Sequence, residues 1–222
     1  MAEPGARQFR FVVFDWDDTL ADSTALIAAA IQQACRDIGE PPPDDTTARY
    51  VIGLGLADAL AHVAPGLAPE RHRDLAMRYR HHYLTGDPQI PLFAGVREML
   101  DELDGAGLLL GVATGKTRVG LNRALEQQRL GNRFVATRCA DEGFPKPNPD
   151  MLLHLMDRVG VEPRETLMIG DTTHDVELAR NAGVAAVAVS YGAHASAGLA
   201  QCSPLAVLHS IEELRRWLQS NT

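Results

Sequence analysis

Three carboxylates, Asp15, Asp17 and Asp18, follow the apolar run Phe11–Phe14 within four positions, in the stretch FVVFDWDDTL. Carboxylates crowded in this way repel one another, so each needs a cation, a shared proton or donated hydrogen bonds to offset its charge. Residues suited to that task stand elsewhere in the chain. Thr114 closes the apolar run LLLGVAT, Lys146 stands in FPKPNPD, Asp171 follows TLMIG, and Asp175 comes four residues later. A hard divalent cation such as Mg²⁺ takes oxygen ligands and keeps several waters, so Asp15 and Asp171 beside it would be partly neutralised. A phosphate ester would supply a further ligand oxygen, with Lys146 adding positive charge on its other side. Phosphoryl transfer needs positioning and charge stabilisation more than elaborate covalent chemistry. A carboxylate nucleophile, a metal, a hydroxyl donor and an ammonium meet those needs.

The elements between these residues explain how they could meet. Short runs rich in Val, Ile and Leu recur at 11–14, 108–114, 133–138, 166–170 and 185–190. Continuous apolar runs of this length suit strands buried on both faces of a parallel sheet. Amphipathic stretches that commonly end at Gly separate them, as in GVREMLDELDGAG, RVGLNRALEQQRLG, PDMLLHLMDRVGV and HDVELARNAG. PLAVL and SIEELRRWLQ add an expected edge strand and a closing helix. The alternation predicts an α/β fold, a doubly wound parallel-sheet (Rossmann-like) core. In such sheets ligands bind outside the carboxyl ends of the strands, where Asp15, Thr114 and Asp171 would all emerge.

One interval breaks the alternation. Residues 22–87 hold no convincing buried strand and read as helices: STALIAAAIQQACRDIG, ADALAHVA and PERHRDLAMRYRHHYLTG, the first stopped by Gly39 and Pro41–Pro43. The predicted organisation is therefore an α/β core over 1–21 and 88–222, with an inserted α-helical cap domain over 22–87. A cap whose two ends lie beside one strand terminus can hinge over it. The loop GLGLAD, Gly53–Asp58, reads as a turn between cap helices that faces the site.

Composition narrows the function classes. A formal net charge of −8 argues against nucleic-acid partners, because non-specific binding rests on neutralising many phosphates with Lys and Arg. Cys35, Cys139 and Cys202 form no C-x-x-C pair and read as reduced thiols in a cytoplasmic protein. No apolar run reaches the ~18 residues of a membrane span, so no membrane partner is expected. The only two lysines in the chain are Lys116 and Lys146. Against so many arginines, they suggest places where a guanidinium does not fit. Lys116 otherwise reads as a residue at the next helix start, near the site. His81 and His82 read as solvated, and His174 lies between Asp171 and Asp175.

Taken together, these residues resemble the haloacid dehalogenase superfamily, most closely its phosphoglycolate-phosphatase-like branch with a helical cap. Asp15, Trp16, Asp17 and Thr19 match the family's D-x-D-G-T motif; Thr114 with Gly115 matches the Ser or Thr that ends a strand; Lys146 matches the third motif; Gly170, Asp171 and Asp175 match G-D-x-x-x-D. The resemblance implies that Asp15 attacks phosphorus to form an aspartyl phosphate. Asp17 would protonate the leaving oxygen and then activate water. Thr114, Gly115 and Lys146 would bind the phosphoryl group. Mg²⁺ would be held by Asp15, Asp171, the main-chain carbonyl of Asp17 and, in support, Asp175. Asp18 stands where the family usually has Gly.

The expected function is Mg²⁺-dependent hydrolysis of a small-molecule phosphate ester, with phosphoglycolate the leading candidate. Arg49, Tyr50 and Arg78 of the cap are the candidates to meet a substrate carboxylate or hydroxyl. A sugar phosphomutase or a pyrophosphatase could use the same core. A receiver-type signalling module also gathers acidic residues, a Thr and a Lys around a phosphorylated Asp, but it is shorter and carries no helical insert.

Overall fold

The computed structural model describes residues 9–87 and 90–222. Six strands form one parallel sheet: β1 (Phe11–Phe14), β2 (Leu109–Thr114), β3 (Ala136–Cys139), β4 (Thr166–Gly170), β5 (Ala185–Val189) and β6 (Val207–Leu208). Their spatial order is β3-β2-β1-β4-β5-β6. The chain therefore builds outward from β1 in one direction and then restarts beside β1 in the other. That reversal makes the gap between β1 and β4 the topological switch point, where crevices form in open sheets. Register places Phe14 opposite both Val112 and Ile169, so the carboxyl ends of the three central strands fall within two residues of one another.

Side chains alternate across the sheet and explain why both faces are covered. Val12 and Phe14 of β1 enter one hydrophobic cluster, and Phe11 and Val13 enter another. The first is closed by α5 (Val96–Gly105), α6 (Arg118–Gln127) and α10 (Ile211–Asn221) through Met99, Leu100, Leu121 and Leu214. The second is closed by α7 (Asp150–Val159), α8 (Thr173–Asn181) and α9 (Ser196–Gln201) through Met151, Leu155, Leu178 and Leu199. Burying a residue such as Leu100 contributes roughly 1.5–3 kcal/mol, so one polar substitution on either face would be felt throughout the sheet.

Between β1 and α5 the chain forms α1 (Thr24–Asp37), α2 (Asp45–Tyr50), α3 (Leu56–Val63) and α4 (His72–Gly86). These helices gather their own cluster around Ile31, Ala34, Leu60 and Leu75. α2 was not foreseen from sequence. It starts because the Asp44 carboxylate accepts a hydrogen bond from the Thr47 amide at 2.7 Å, a cap that satisfies one of the orphan N–H groups of a first turn. Nor was α9, whose sequence SAGLAQ carries no clear apolar stripe. The third strand is displaced from the expected 133–138 to 136–139. Phe134 precedes it and packs into the first core cluster instead of joining the ladder.

Candidate active site

Asp15 is the residue after β1, and its amide donates to the Ile169 carbonyl of β4 at 2.9 Å. Continuation of the sheet hydrogen bonding thus fixes the backbone of Asp15 beside the end of β4. Its carboxylate is fully buried, and Oδ1 lies 2.8 Å from Nζ of Lys146. Neither carboxylate oxygen accepts a well-directed hydrogen bond. Burial pushes the acid up to about 7, opposed by the Lys146 ammonium and reinforced by the Asp175 and Asp17 carboxylates.

Lys146 is buried between two carboxylates, with Nζ 2.6 Å from Oδ1 of Asp175 as well. Burial alone would lower its pKa; the two anions overcome that and leave it raised, so it stays an ammonium. Asp175 has its other oxygen on Thr172, accepting from the amide at 3.1 Å and from the hydroxyl at 2.6 Å. The Thr172 hydroxyl lies in turn 3.3 Å from the Asp175 amide, so the pair forms a capping box at the start of α8. Asp175 therefore holds the lysine and the helix end together. Asp171 is buried too, accepting from the Thr19 hydroxyl at 2.9 Å and from the Ala193 amide at 2.7 Å. Burial, then Asp18, Asp175 and Asp15, drive its pKa well above the usual carboxylate range.

Carboxylate oxygens of Asp15, Asp171 and Asp175 all lie within 4.8 Å of one another. Three buried carboxylates face one ammonium there, and both Asp15 oxygens lack directed donors. An all-oxygen donor set with uncompensated charge fits a hard divalent cation such as Mg²⁺. The Asp17 carboxylate points elsewhere. Its Oδ1 accepts from the Ser23 hydroxyl and from Nζ of Lys116, each at 2.9 Å. Lys116 reaches across to the hydroxyl of Tyr83 on α4 at 2.6 Å and lies over that ring. This lysine, read from sequence only as a neighbour of the site, ties Asp17 to the helical insert.

Asp18 takes a different role again. Its backbone is left-handed, with φ of 60°, a conformation that Asp tolerates better than most residues because its short polar side chain bonds locally. Its Oδ1 accepts from the amides of Ser23 at 2.9 Å and Thr24 at 2.5 Å. Ser23, at the N-cap position, makes no side-chain cap bond, so Asp18 caps α1 from five residues back. Burial raises this acid to about 6, with Asp17 adding to the shift.

Thr114 ends β2 and is buried; its hydroxyl oxygen accepts from the Lys116 amide at 3.2 Å, which leaves its proton free to donate. Gly115 is required where it stands. A Cβ there would lie 2.6 Å from the Leu54 carbonyl oxygen and 2.8 Å from that of Gly53. A Cβ on Gly53 would in turn meet the Thr172 hydroxyl at 3.3 Å. The 53–55 turn before α3, shorter than the 53–58 turn expected from sequence, therefore closes over two of the strand ends at once.

Two histidines fasten the same insert to the core. Nε2 of His174 and Nε2 of His194 lie 2.9 and 3.0 Å from one acceptor, the Tyr50 carbonyl oxygen. Nδ1 of His194 accepts from the Thr173 amide at 3.1 Å, which sets its proton on Nε2. Burial lowers the pKa of His194, in keeping with a neutral ring. The Tyr50 ring stacks on His194 with centroids 5.4 Å apart, so Tyr50 serves this contact. Arg49 lies on the surface of α2, paired with Asp45 at 3.2 Å. The structure does not bring Arg49 or the exposed Arg78 to the carboxylate cluster or to the cavity beside Asp17. The fold supplies Lys116 there instead.

Comparison with known proteins agrees with this geometry. Residues 12–189 match the model of the haloacid dehalogenase-like hydrolase family. The chain is 35% identical over 209 residues to a Dickeya dadantii protein named "Probable phosphatase IndB", covering 91% of this chain and 90% of that one. It is 32% identical over 218 residues to a Vibrio vulnificus phosphoglycolate phosphatase, covering 94% and 95%. A solved hydrolase structure from Pseudomonas syringae superposes with a TM-score of 0.87 at 24% identity, over 95% of this chain and 98% of that one. With the family model spanning the sheet from β1 to β5, the chain belongs to the haloacid dehalogenase-like hydrolases.

Proposed function

We propose that the protein is a Mg²⁺-dependent phosphatase that hydrolyses an organic phosphate monoester through a phosphorylated Asp15. The observation that carries this reading is Asp15 itself: a buried carboxylate whose oxygens take no directed hydrogen bond, set against an ammonium, with a second carboxylate two residues on held by other donors. The names of the relatives at about a third identity support the phosphatase class. The insert over 22–87 is proposed as the cap, and the free thiols Cys35, Cys139 and Cys202 suit a reducing cytoplasm.

The carboxylates of Asp15 and Asp171 would hold the ion, with Asp175 in support and the Asp17 main-chain carbonyl as a further ligand. When bound, Mg²⁺ offsets negative charge and helps to orient a phosphoryl oxygen. Asp15 attacks phosphorus, and the bond to the ester oxygen breaks. Lys146 and the Thr114 hydroxyl stabilise the transferring oxygens, with Gly115 leaving room for their approach. Asp17 gives its proton to the departing alcohol oxygen. Because Oδ1 is engaged by Ser23 and Lys116, Oδ2 is the oxygen left to exchange that proton. Water then attacks the phosphorus, Asp17 takes its proton, and Asp15 is released with inorganic phosphate.

The test is sustained release of p-nitrophenol from p-nitrophenyl phosphate. Activity should be lost on exhaustive chelation and restored by Mg²⁺. A single stoichiometric phosphorylation without turnover would instead favour a receiver-type module, and full activity after chelation would remove the metal from the reading.

A further inference from the structure

The space beside Asp17 carries information about what the phosphate is attached to. A cavity of about 450 Å³ lies between the helical insert and the core. That volume falls in the ~300–1,000 Å³ range of pockets that enclose most of a drug-sized ligand. Asp17, Lys116 and Gly115 line it, whereas Asp15, Thr114 and Lys146 do not. The cavity therefore adjoins the acid that meets the leaving oxygen, touching the proposed phosphoryl site only at Gly115 and leaving Asp15, Thr114 and Lys146 outside its walls.

Its walls are largely aliphatic. Ile27 and Ile31 of α1, Val51 and Leu60 contribute buried side chains. Leu84 and Val119, which are 47% and 72% exposed, extend the same surface at the mouth. The cations there are committed or at the edge. Lys116 is shared by Asp17 and Tyr83, Arg123 pairs with Asp87, and Arg80 is exposed. Glycolate, the alcohol of phosphoglycolate, is a handful of atoms, of which the carboxylate would have to leave water against an apolar wall. Burying an unpaired charge is far more costly than burying an alkyl chain, which gains free energy in the same place.

Resting on the phosphatase reading above, we infer that the preferred substrates are phosphate monoesters of apolar alcohols much larger than glycolate, with the aliphatic or aromatic body seated in this cavity. The cap then selects by burying area on the leaving group.

A series of ethyl, butyl and hexyl phosphates tests this with the full chain and Mg²⁺. The leaving-group basicity stays nearly constant, so any gradient in kcat/KM reports burial. Each buried methylene should raise kcat/KM about 4-fold, placing hexyl phosphate above ethyl phosphate by a factor on the order of 10². Hexyl phosphate should also surpass phosphoglycolate. A flat or falling series, with p-nitrophenyl phosphate still turned over, would overturn the inference and leave the phosphatase reading standing. Binding of the matching alkylphosphonates separates the two claims. A rising affinity with no turnover of any ester supports the apolar site and sinks the phosphatase reading; affinity independent of chain length sinks the apolar site. Val119→Asp places a charge at the exposed mouth, where folding is not at stake, and should reduce the hexyl-to-ethyl ratio at least several-fold. An unchanged ratio would mean that the alcohol lies elsewhere.

Discussion

The buried carboxylates make the metal-free protein sensitive to pH in a direction opposite to that of a salt-bridged acid. Asp15 is held at about 7 in the fold against 3.8 for a free side chain. Below about pH 4 both states carry the proton, and the group costs nothing. As pH rises the unfolded chain ionises first, so stability falls steadily from about pH 4 and levels off above about pH 7. At 1.36 kcal/mol per unit, the shift of about 3 units is worth on the order of 4 kcal/mol. Asp171, raised by the same burial, adds in the same direction. For a chain of this size 1 kcal/mol moves the midpoint by about 2–4 °C, and about 2.5 kcal/mol of the penalty falls between pH 5 and pH 7.5, so the chelated protein should lose roughly 5–10 °C across that range. Millimolar Mg²⁺ should recover much of that loss, and the gain should increase with pH because protons compete for the same oxygens. Calorimetry across that range, with and without the ion, reads both effects. Asp15→Asn removes one ionisation and should flatten the chelated profile. A chelated midpoint that rises with pH, or a Mg²⁺ gain that is larger at pH 5 than at pH 7.5, would refute the reasoning.

Other substitutions separate the neighbouring carboxylates. Asp15→Asn should abolish turnover and any covalent phosphoenzyme, as seen by acid-quench labelling. Asp17→Asn should lower kcat by roughly 10²- to 10⁴-fold while still forming phosphoenzyme, most visibly with good leaving groups. Asp18→Gly suits the left-handed backbone but strands the Ser23 and Thr24 amides at the start of α1. It should cost about 1–3 kcal/mol in urea unfolding while kcat stays within about tenfold, and a dead Asp18→Gly beside an active Asp17→Asn would move the catalytic pair by one residue. His194→Ala leaves the Thr173 amide without its acceptor and removes one of two donors to the Tyr50 carbonyl. A loss of about 1–3 kcal/mol is expected, and an unaltered unfolding midpoint would show that this contact does not hold the insert.

What could be read in the sequence is what depends on short range. The runs FVVF and TLMIG became strands at the expected residues, because a chain buried on both faces leaves an uninterrupted apolar signature. Their ends could be brought together in advance because a parallel sheet aligns its carboxyl ends, which is why Asp15 and Asp171 were legible as neighbours. Roles set by distant partners were not. Lys116 acquires its meaning from Asp17 and from Tyr83, which lie 99 and 33 residues away. The Asp18 carboxylate is explained only once the chain folds back to Ser23. Arg49 was expected to face substrate, but it rides on α2, a six-residue helix with no apolar period from which to infer its rotation. His194 carried no motif at all; its part depends on Tyr50 arriving from 144 residues earlier.

The opening cluster of acids is stable because each member has a different counterpart. Asp15 is met by Lys146, Asp17 by Lys116 and the Ser23 hydroxyl, and Asp18 by the Ser23 and Thr24 amides at the start of α1. The only two lysines in the chain thus both end on carboxylates of one site. Their chemistry explains the choice in a chain otherwise rich in Arg. Nζ of Lys146 lies between Asp15 and Asp175 with its side chain fully enclosed, where a compact ammonium can aim donors in several directions. A planar guanidinium prefers to engage one carboxylate with two parallel bonds, and it would need width that this enclosure lacks. Lys116 likewise divides its donors between an acid of the core and a phenol of the insert. The two lysines therefore sit where buried carboxylate charge must be balanced in little space.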